Sequence, residues 1–487
     1  MRSVTTAPGQ GAGSRSTGRL TRDVALVPVL GFCLLVGTSS YLMVFTLMGQ
    51  IGTSLHASRA ALDWITIATV ITGTVSAALF PALGSVLGQR MLMTATLACL
   101  AGGSLISAIA PDTGMLIVGR IIAAPGFAAG SLAIAIAAEQ RSGPSLPKAF
   151  GIITAFEGAA AGIGFVLGGA VEDAADASWR AVFLAVVTLS VIAGILAAAT
   201  VPGGARTALR ADILGALLLV AGLTAVLLPF SEGTSWGWTS PRVAALFAVA
   251  VLLLAAWVVS ALTTSDPLIR LRILTRPGVA GGVLLFLITA GVVGIVNITV
   301  PAFLEAPPAS GYGGAASVLQ SGVDLLPFAA AITAAGYVSG RLTRRLSPSV
   351  IAIVTLCLEA LGLVLLAGLH HTAAQVVILV ALVGAGHGGT LAAEYVLLTR
   401  AVRPAEAGPA AGLGSAVAGI SGAVATAAIT PVLVIRLVRV GQAMLPAAAG
   451  YSHAWLCGAA LAAAGAIVTA FLARKARGPA GQLPADG

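Results

Sequence analysis

The sequence predicts an all-α integral membrane protein with fourteen transmembrane helices, arranged as six, two and six. Three observations carry this expectation. Fourteen long apolar stretches follow one another with short connections between them, and a spanning helix needs roughly 20 mostly apolar residues. Only 9% of the 487 residues are charged while 58% are apolar, far from the composition of a soluble globular chain. Basic residues collect in alternate connections, as the positive-inside rule requires of a multi-pass protein. No stretch remains for a folded soluble domain.

Residues 1–22 are rich in Gly, Ser, Thr and Arg and read as a disordered cytoplasmic N-terminus. The first span, 24–48, is too long for the core of a cleaved signal, and no small-residue cleavage site follows it, so it reads as a retained helix. The second, 62–83, opens beside Asp63 and Trp64. The turn that follows, Pro81 to Arg90, holds Gly84 and Gly88. The third and fourth spans are 90–110 and 114–138, with Arg120 inside the fourth. The fifth, 148–171, carries Glu157 and then Gly164, Gly168 and Gly169; glycines four residues apart make a smooth ridge for close helix packing. The sixth, 180–201, completes a six-helix bundle over 23–203.

Spans 211–230 and 243–262 form an inserted pair within 204–265. Six more follow within 266–475: 278–304, 318–340, 349–369, 373–397, 408–435 and 452–473, ahead of a cytoplasmic tail at 476–487. The turn at Gly340, Arg341, Arg344 and Arg345 echoes the turn at Gly84 to Arg90, each joining the second and third helices of its six-helix unit. Repeated halves of this kind are a transporter signature.

The basic connections place both termini in the cytoplasm: Arg15, Arg19 and Arg22; Arg141 and Lys148; Arg206 and Arg210; Arg270, Arg272 and Arg276; Arg341, Arg344 and Arg345; Arg400 and Arg403; Arg474, Lys475 and Arg477. The opposite connections hold Glu172, Asp173, Asp176, Glu232 and Glu305. Trp64, Trp179, Trp236, Trp238 and Trp455 fall at or beside outer helix ends, where an aromatic belt is expected. The net charge of +9 thus belongs to one membrane face and is not a nucleic-acid signal. Cys33, Cys99, Cys357 and Cys457 lie in four different spans without metal-ligand spacing and read as small buried hydrophobes. No phosphate-binding loop, zinc motif or other catalytic motif occurs, so neither an enzyme nor a cofactor is expected.

An ionisable group at the bilayer centre costs roughly 2.5–3.5 kcal/mol on insertion scales, so each is a candidate for function. The candidates are Arg120, Glu157, Glu359, His387 and Glu394. Arg120 and Glu157 lie on consecutive spans, and a carboxylate that meets and leaves a cation can take up and release a proton; a static ion pair is the alternative. Their depths differ, so direct pairing needs side-chain reach. Glu359 lies mid-span. His387 and Glu394 are seven residues apart, nearly two turns, so both point to one helix face about 10 Å apart. Gly384, Gly386, Gly388 and Gly389 open space around the imidazole, which titrates near neutrality; a backbone-bonded His at a helix crossing is the alternative. His370 and His371 read as a solvated loop pair.

Several motifs in register resemble the major facilitator superfamily, and in particular its fourteen-helix drug:proton antiporter branch. The turn at Gly340 to Arg345 resembles the family's cytoplasmic gating motif. Gly119-Arg120 with Gly126 and Gly130 resembles the arginine motif of the fourth helix. Ala160 to Gly169 resembles the fifth-helix antiporter motif through Gly164, Gly168 and Gly169. Ser178-Trp179-Arg180 with Phe183 resembles the entry to the sixth helix, and Ser231-Glu232-Gly233 with Gly237-Trp238 the loop of the inserted pair. The resemblance implies gating roles for Gly84, Gly88, Arg90, Gly340, Arg341 and Arg345. Departures accompany it: the family's gate Asp and Arg are Ser85 and Val86, its first-helix Asp is Ser40, and its fifth-helix Pro is Phe165.

The expected function is secondary active transport: proton-coupled efflux of apolar or cationic small organic compounds by alternating access. Protons, a small-molecule substrate and the lipid bilayer are the expected partners, with the chain a monomer in the cell (inner) membrane. The replaced acids keep two alternatives open: an exporter of a metabolite or lipid-like molecule that is uncoupled or coupled differently, and a sensor or scaffold that binds without transporting.

Overall fold

The computed structural model describes residues 13–173, 178–203, 212–265, 267–441 and 443–477. Asp176, Arg206, Arg210 and the tail from residue 478 lie outside the described residues, as do residues 1–12 and the side chains of Glu172, Asp173, Lys475 and Arg477. Fourteen described helical segments are long and apolar enough to span a membrane.

The first span is α1 (Gly13–Thr46), extended by the short α2 (Met48–Ser54). Helix α1 starts at Gly13, so 13–22, expected as irregular sequence, is helical. Spans two and three are α3 (Arg59–Leu87) and α4 (Gln89–Ala108). They meet at Gly88, whose φ of 99° is a conformation that side-chain-bearing residues rarely adopt. The fourth span is split: α5 (Thr113–Ala123) and α6 (Ala129–Gln140) flank a 3-10 turn at Ala124–Ala128 that contains Pro125. Spans five and six are α7 (Ser145–Asp173) and α8 (Trp179–Thr200); the inserted pair is α9 (Ile213–Trp236) and α10 (Pro241–Thr263).

The ninth span is α11 (Pro277–Glu305). The tenth is broken into α12 (Val318–Asp324) and α13 (Leu326–Leu342). Then come α14 (Pro348–Gly368), α15 (Ala373–Arg400), α16 (Ala407–Val434) and α17 (Ala448–Arg477). Between α16 and α17 a small antiparallel hairpin pairs β1 (Leu437–Val440) with β2 (Ala443–Pro446). Helix starts follow local chemistry. The side chains of Ser58, Asp112, Asp212, Ser240, Ser317 and Ser347 accept from backbone N–H groups of the first turn, and Thr372 with Gln375 forms a reciprocal capping box.

Within the first unit α1 packs on α7, α8 and α6, and α4 packs on α5 and α8. Within the second, α13 and α14 flank α15, α14 lies on α17, and α11 lies on α16. The units meet along two seams, α7 against α12 and α13, and α3 with α6 against α16. Helices α9 and α10 pair with each other, and α9 rests on α3 and α16. Helix α10 packs chiefly on α9 and leaves Val249, Val251, Leu252, Val259 and Leu262 exposed, the pattern of a peripheral helix.

With fourteen spans, the start of α1 and the end of α17 lie on one face of the bundle, called here the terminal face. Near it the seams close backbone to backbone. A Cβ at Gly340 would lie 2.6 Å from the Cα of Gly151, and Cβ atoms at Gly408 and Gly412 would fall on the carbonyls of Pro81 and Ala78. All of α6 from Ala129 to Ala138 apart from Gly130 is buried there.

Two expectations need correction. Trp179 and Trp455 do not join an outer aromatic belt: they are 1% and 0% exposed, because their indole N–H groups find partners inside, on Ser54 Oγ at 2.7 Å and Thr299 Oγ1 at 2.9 Å. Of the cysteines only Cys33 is buried; Cys99, Cys357 and Cys457 are exposed on the apolar perimeter.

Candidate functional site

Helix α15 is the hub of the site. Its glycines let neighbours approach within backbone distance: a Cβ at Gly384 would meet Phe328 of α13, one at Gly386 would lie 2.7 Å from the Cα of Glu359 on α14, and one at Gly388 would lie 2.7 Å from the Cα of Ile332 on α13. This close crossing brings His387 Nδ1 to 3.5 Å from Glu359 Oε1. Glu359 is fully buried and His387 is 6% exposed. Neither carboxylate oxygen nor Nδ1 has a hydrogen-bond partner, so this is a close pair without a formed bond. One turn further along, Thr390 and Thr355 hydroxyls bond at 2.9 Å across the same two helices.

Two adjacent residues of α15 then reach different helices, since successive side chains of a helix lie about 100° apart. Glu394, fully buried, accepts a 3.0 Å hydrogen bond from the Thr289 hydroxyl of α11 through Oε2, while its Oε1 has no partner. The Tyr395 hydroxyl donates at 2.9 Å to Glu157 Oε2 on α7, across the divide between the two six-helix units. The Tyr395 ring sits between Phe150 of α7, at 6.0 Å, and Phe286 of α11, at 5.6 Å. His387 and Glu394 lie along one stripe of α15 as their spacing predicts, but they engage different neighbours.

Arg120 and Glu157 are not brought together. Arg120 is 1% exposed inside the first unit. Its Nε donates to Thr69 Oγ1 at 3.4 Å and its Nη2 to the Ser40 carbonyl at 3.3 Å, with the guanidinium 5.6 Å from the Phe183 ring centroid. Glu157 instead turns to the second unit. Direct pairing, which the different depths made dependent on side-chain reach, does not occur: α5 directs Arg120 toward α1, α3 and α8, away from α7.

The antiporter-motif glycines divide between two partners. Cβ atoms at Gly164 and Gly168 would meet Leu42 and Thr46 of α1, and one at Gly169 would lie 2.6 Å from the Cα of Leu319 on α12. In the first turn, Gly84 lies against the Gln89 side chain, Gln89 Nε2 donates to Glu139 Oε1 at 2.9 Å, and Arg90 Nε donates to the Val201 carbonyl at 2.6 Å. In the second turn Gly340 touches Gly151, Arg341 lies 4.8 Å from the Tyr337 ring centroid, and Arg345 is exposed. His370, expected to be solvated, is half-buried: its Nδ1 lies 2.9 Å from the Leu366 carbonyl and its ring packs on Phe303 and Trp455.

The Major Facilitator Superfamily model matches residues 29–426. The chain belongs to the major facilitator superfamily. The relatives it resembles are transporters and resistance proteins. It is 27% identical to the uncharacterized MFS-type transporter EfpA of Mycobacterium tuberculosis over 68% of this chain, and the match spans 61% of that relative's length. It is 28% identical to the puromycin resistance protein pur8 of Streptomyces alboniger, over 71% of this chain and 69% of that one. It is 26% identical to the methylenomycin A resistance protein of Bacillus subtilis, over 80% and 83%. Among solved structures, the proton:xylose symporter XylE superposes with a TM-score of 0.64 at 13% identity, over 92% of this chain and 95% of that one. The human organic anion transporter MFSD10 superposes with 0.62 at 16%, over 91% and 98%. These two likenesses concern the fold. The chain is thus a multi-pass membrane protein of this superfamily.

Two members of the site were missed in the sequence: Tyr395 and Thr289. A signal for the first was present, since Tyr395 directly follows Glu394 in an otherwise apolar stretch. Thr289 carried none, because a lone Thr in a span ordinarily bonds its own helix; here its one hydroxyl proton is shared between Glu394 Oε2 and the Leu285 carbonyl, whose oxygen lies 2.8 Å away.

Proposed function

We propose that this chain is a proton-coupled exporter of small organic compounds, apolar or cationic, that works by alternating access as a monomer in the cell membrane. The terminal face is read as cytoplasmic, from the basic connections it carries. The working units are the bundles 23–203 and 266–475, with 204–265 as the inserted pair, an N-terminal segment 1–22 and a tail 476–487. Relatives with resistance functions support the direction of transport.

The observation that carries the reading is the Tyr395–Glu157 hydrogen bond between the two units. An ionised carboxylate accepts more strongly than a protonated one. In the state described here the seams are closed at the terminal face. A proton arriving on Glu157 from the opposite side weakens the Tyr395 bond and lets the units part at the terminal face. There the proton leaves and cargo enters, and the restored carboxylate draws the seam shut. Glu394 and the Glu359–His387 pair lie on the same α15 helix and serve as further proton-holding groups. The turns at Gly84, Gly88 and Arg90 and at Gly340, Arg341 and Arg345 set the closing geometry, and Gly164, Gly168 and Gly169 let α7 slide between α1 and α12.

A second reading, an exporter without proton coupling, is favoured by Ser40 and Ser85 in place of the acids that the antiporter branch carries. One experiment separates the two. The purified protein in liposomes with an internal pH-sensitive dye is given a proton gradient and a panel of cationic and neutral compounds. Compound-dependent proton release that disappears in Glu157→Gln is the expected result. Compound movement without proton flux sinks the coupled reading.

A further inference from the structure

Arg120 is a buried cation without a buried anion. Its span begins at Thr113, seven residues earlier, so it lies about 10 Å inside the bundle from that helix start. Arg276 and Arg403 pair with Glu406 and His387 lies against Glu359, but Arg120 takes part in none of these pairs. Its two hydrogen bonds are long, 3.4 Å to Thr69 Oγ1 and 3.3 Å to the Ser40 carbonyl, and its Nη1 has no partner. Ser40 supplies a second vacant donor: the residue is 1% exposed and its hydroxyl has no partner either. Burying an isolated charge is costly unless an opposite charge and hydrogen bonds accompany it. Two unsatisfied donors, one of them cationic, meet that condition with an anion.

We propose that Arg120 and Ser40 bind a monovalent anion, either chloride or the carboxylate of an organic solute. The guanidinium supplies charge and directional N–H donors, the Ser40 hydroxyl supplies a further donor, and Phe183 closes one side. The site lies within the first six-helix unit and is separate from the Tyr395–Glu157 contact. It goes beyond the transport reading, because its test is a binding measurement that does not depend on whether protons drive export.

The test measures the thermal unfolding midpoint of the purified protein in lipid nanodiscs at fixed ionic strength, in sodium isethionate, a sulfonate, then with chloride or benzoate replacing isethionate. The expected result is a saturable upward shift of about 2 °C at tenfold excess over the dissociation constant. Chloride alone producing the shift assigns the site to an inorganic halide; benzoate producing it without chloride assigns it to an organic carboxylate. Arg120→Gln should abolish the shift. Since that variant could unfold, Ser40→Asp is the second arm. It puts a fixed carboxylate on the residue whose carbonyl already accepts from Arg120, so the variant should fold with a midpoint at least as high as the parent's and lose its anion dependence. No shift with either anion, or a shift that survives intact in Ser40→Asp, overturns the proposal.

Discussion

The Tyr395 hydroxyl on α15 and the Glu157 carboxylate on α7 form a 2.9 Å hydrogen bond that ties one six-helix unit to the other. A hydrogen bond of net worth about 1 kcal/mol biases a two-state equilibrium by roughly fivefold. Tyr395→Phe keeps the ring, which Phe150 and Phe286 hold, and removes only the donor. The variant should therefore fold normally and populate the state open at the terminal face about fivefold more. Spin labels at positions 91 and 344, one exposed on each unit near that face, would report the longer distance in a background lacking the four cysteines. An unchanged distance distribution would mean that the bond holds nothing shut.

The buried Glu359–His387 pair predicts strong energetic coupling between its members. Leaving a buried polar group without its partner costs about 1–3 kcal/mol, whereas replacing both partners by apolar residues of similar shape is often close to neutral. His387→Leu alone leaves the Glu359 carboxyl buried with no partner at all. The double variant Glu359→Leu/His387→Leu should recover most of the stability lost in either single one. Chemical unfolding of the four proteins in detergent gives the cycle, and strictly additive losses would show that the 3.5 Å approach carries no interaction.

The fold was readable because lipid imposes it. Apolar length and the glycine ridge at Gly164 and Gly168 are local patterns, and each maps onto a helix or a contact in the structure. The site was readable only as a set of residue types. Glu157, Glu359, His387, Glu394 and Arg120 stand out because charge in a span is rare, but their partners depend on helix rotation and on which neighbour each face meets. Arg120 and Glu157 lie on consecutive spans at different depths, and side-chain reach does not join them because α5 turns its cation inward on α1, α3 and α8. Tyr395 gained its place from a helix some 240 residues away in sequence, a relation no local pattern encodes.

The glycines of the α7 seam predict opposite effects at its two ends. A Cβ at Gly340 would lie 2.6 Å from the Gly151 Cα near the terminal face, and one at Gly169 would lie 2.6 Å from the Leu319 Cα at the other end. Both obstacles are backbone atoms, so the helices must move apart, at a cost of about 1–3 kcal/mol for overpacking. Gly340→Ala should favour opening at the terminal face, and Gly169→Ala opening at the opposite face. Label pairs at 91 and 344 and at 109 and 369 distinguish them; shifts of the same sign in both variants would refute a seam that wedges from either end.

Glu406 predicts a pH dependence outside the membrane-spanning segments. It precedes α16 and accepts from Arg276 Nη1 at 2.8 Å, Arg403 Nη2 at 3.0 Å and the Arg403 backbone N–H at 3.0 Å. Burial pushes its carboxyl up, but the bonds from Arg403 and Arg276 outweigh this and hold it down at about 2. A carboxyl lowered on folding stabilises the protein in full above its unfolded value, near 4.5, and the contribution fades as pH falls toward 2. Glu406→Gln should therefore lower the unfolding midpoint at pH 7, and the gap to the parent should close between pH 4.5 and 2. Thermal unfolding of both proteins across pH 7 to 2 measures the gap. A gap that stays constant with pH would mean that the amide loses packing rather than charge, and that the two arginines do not draw their effect from the carboxylate.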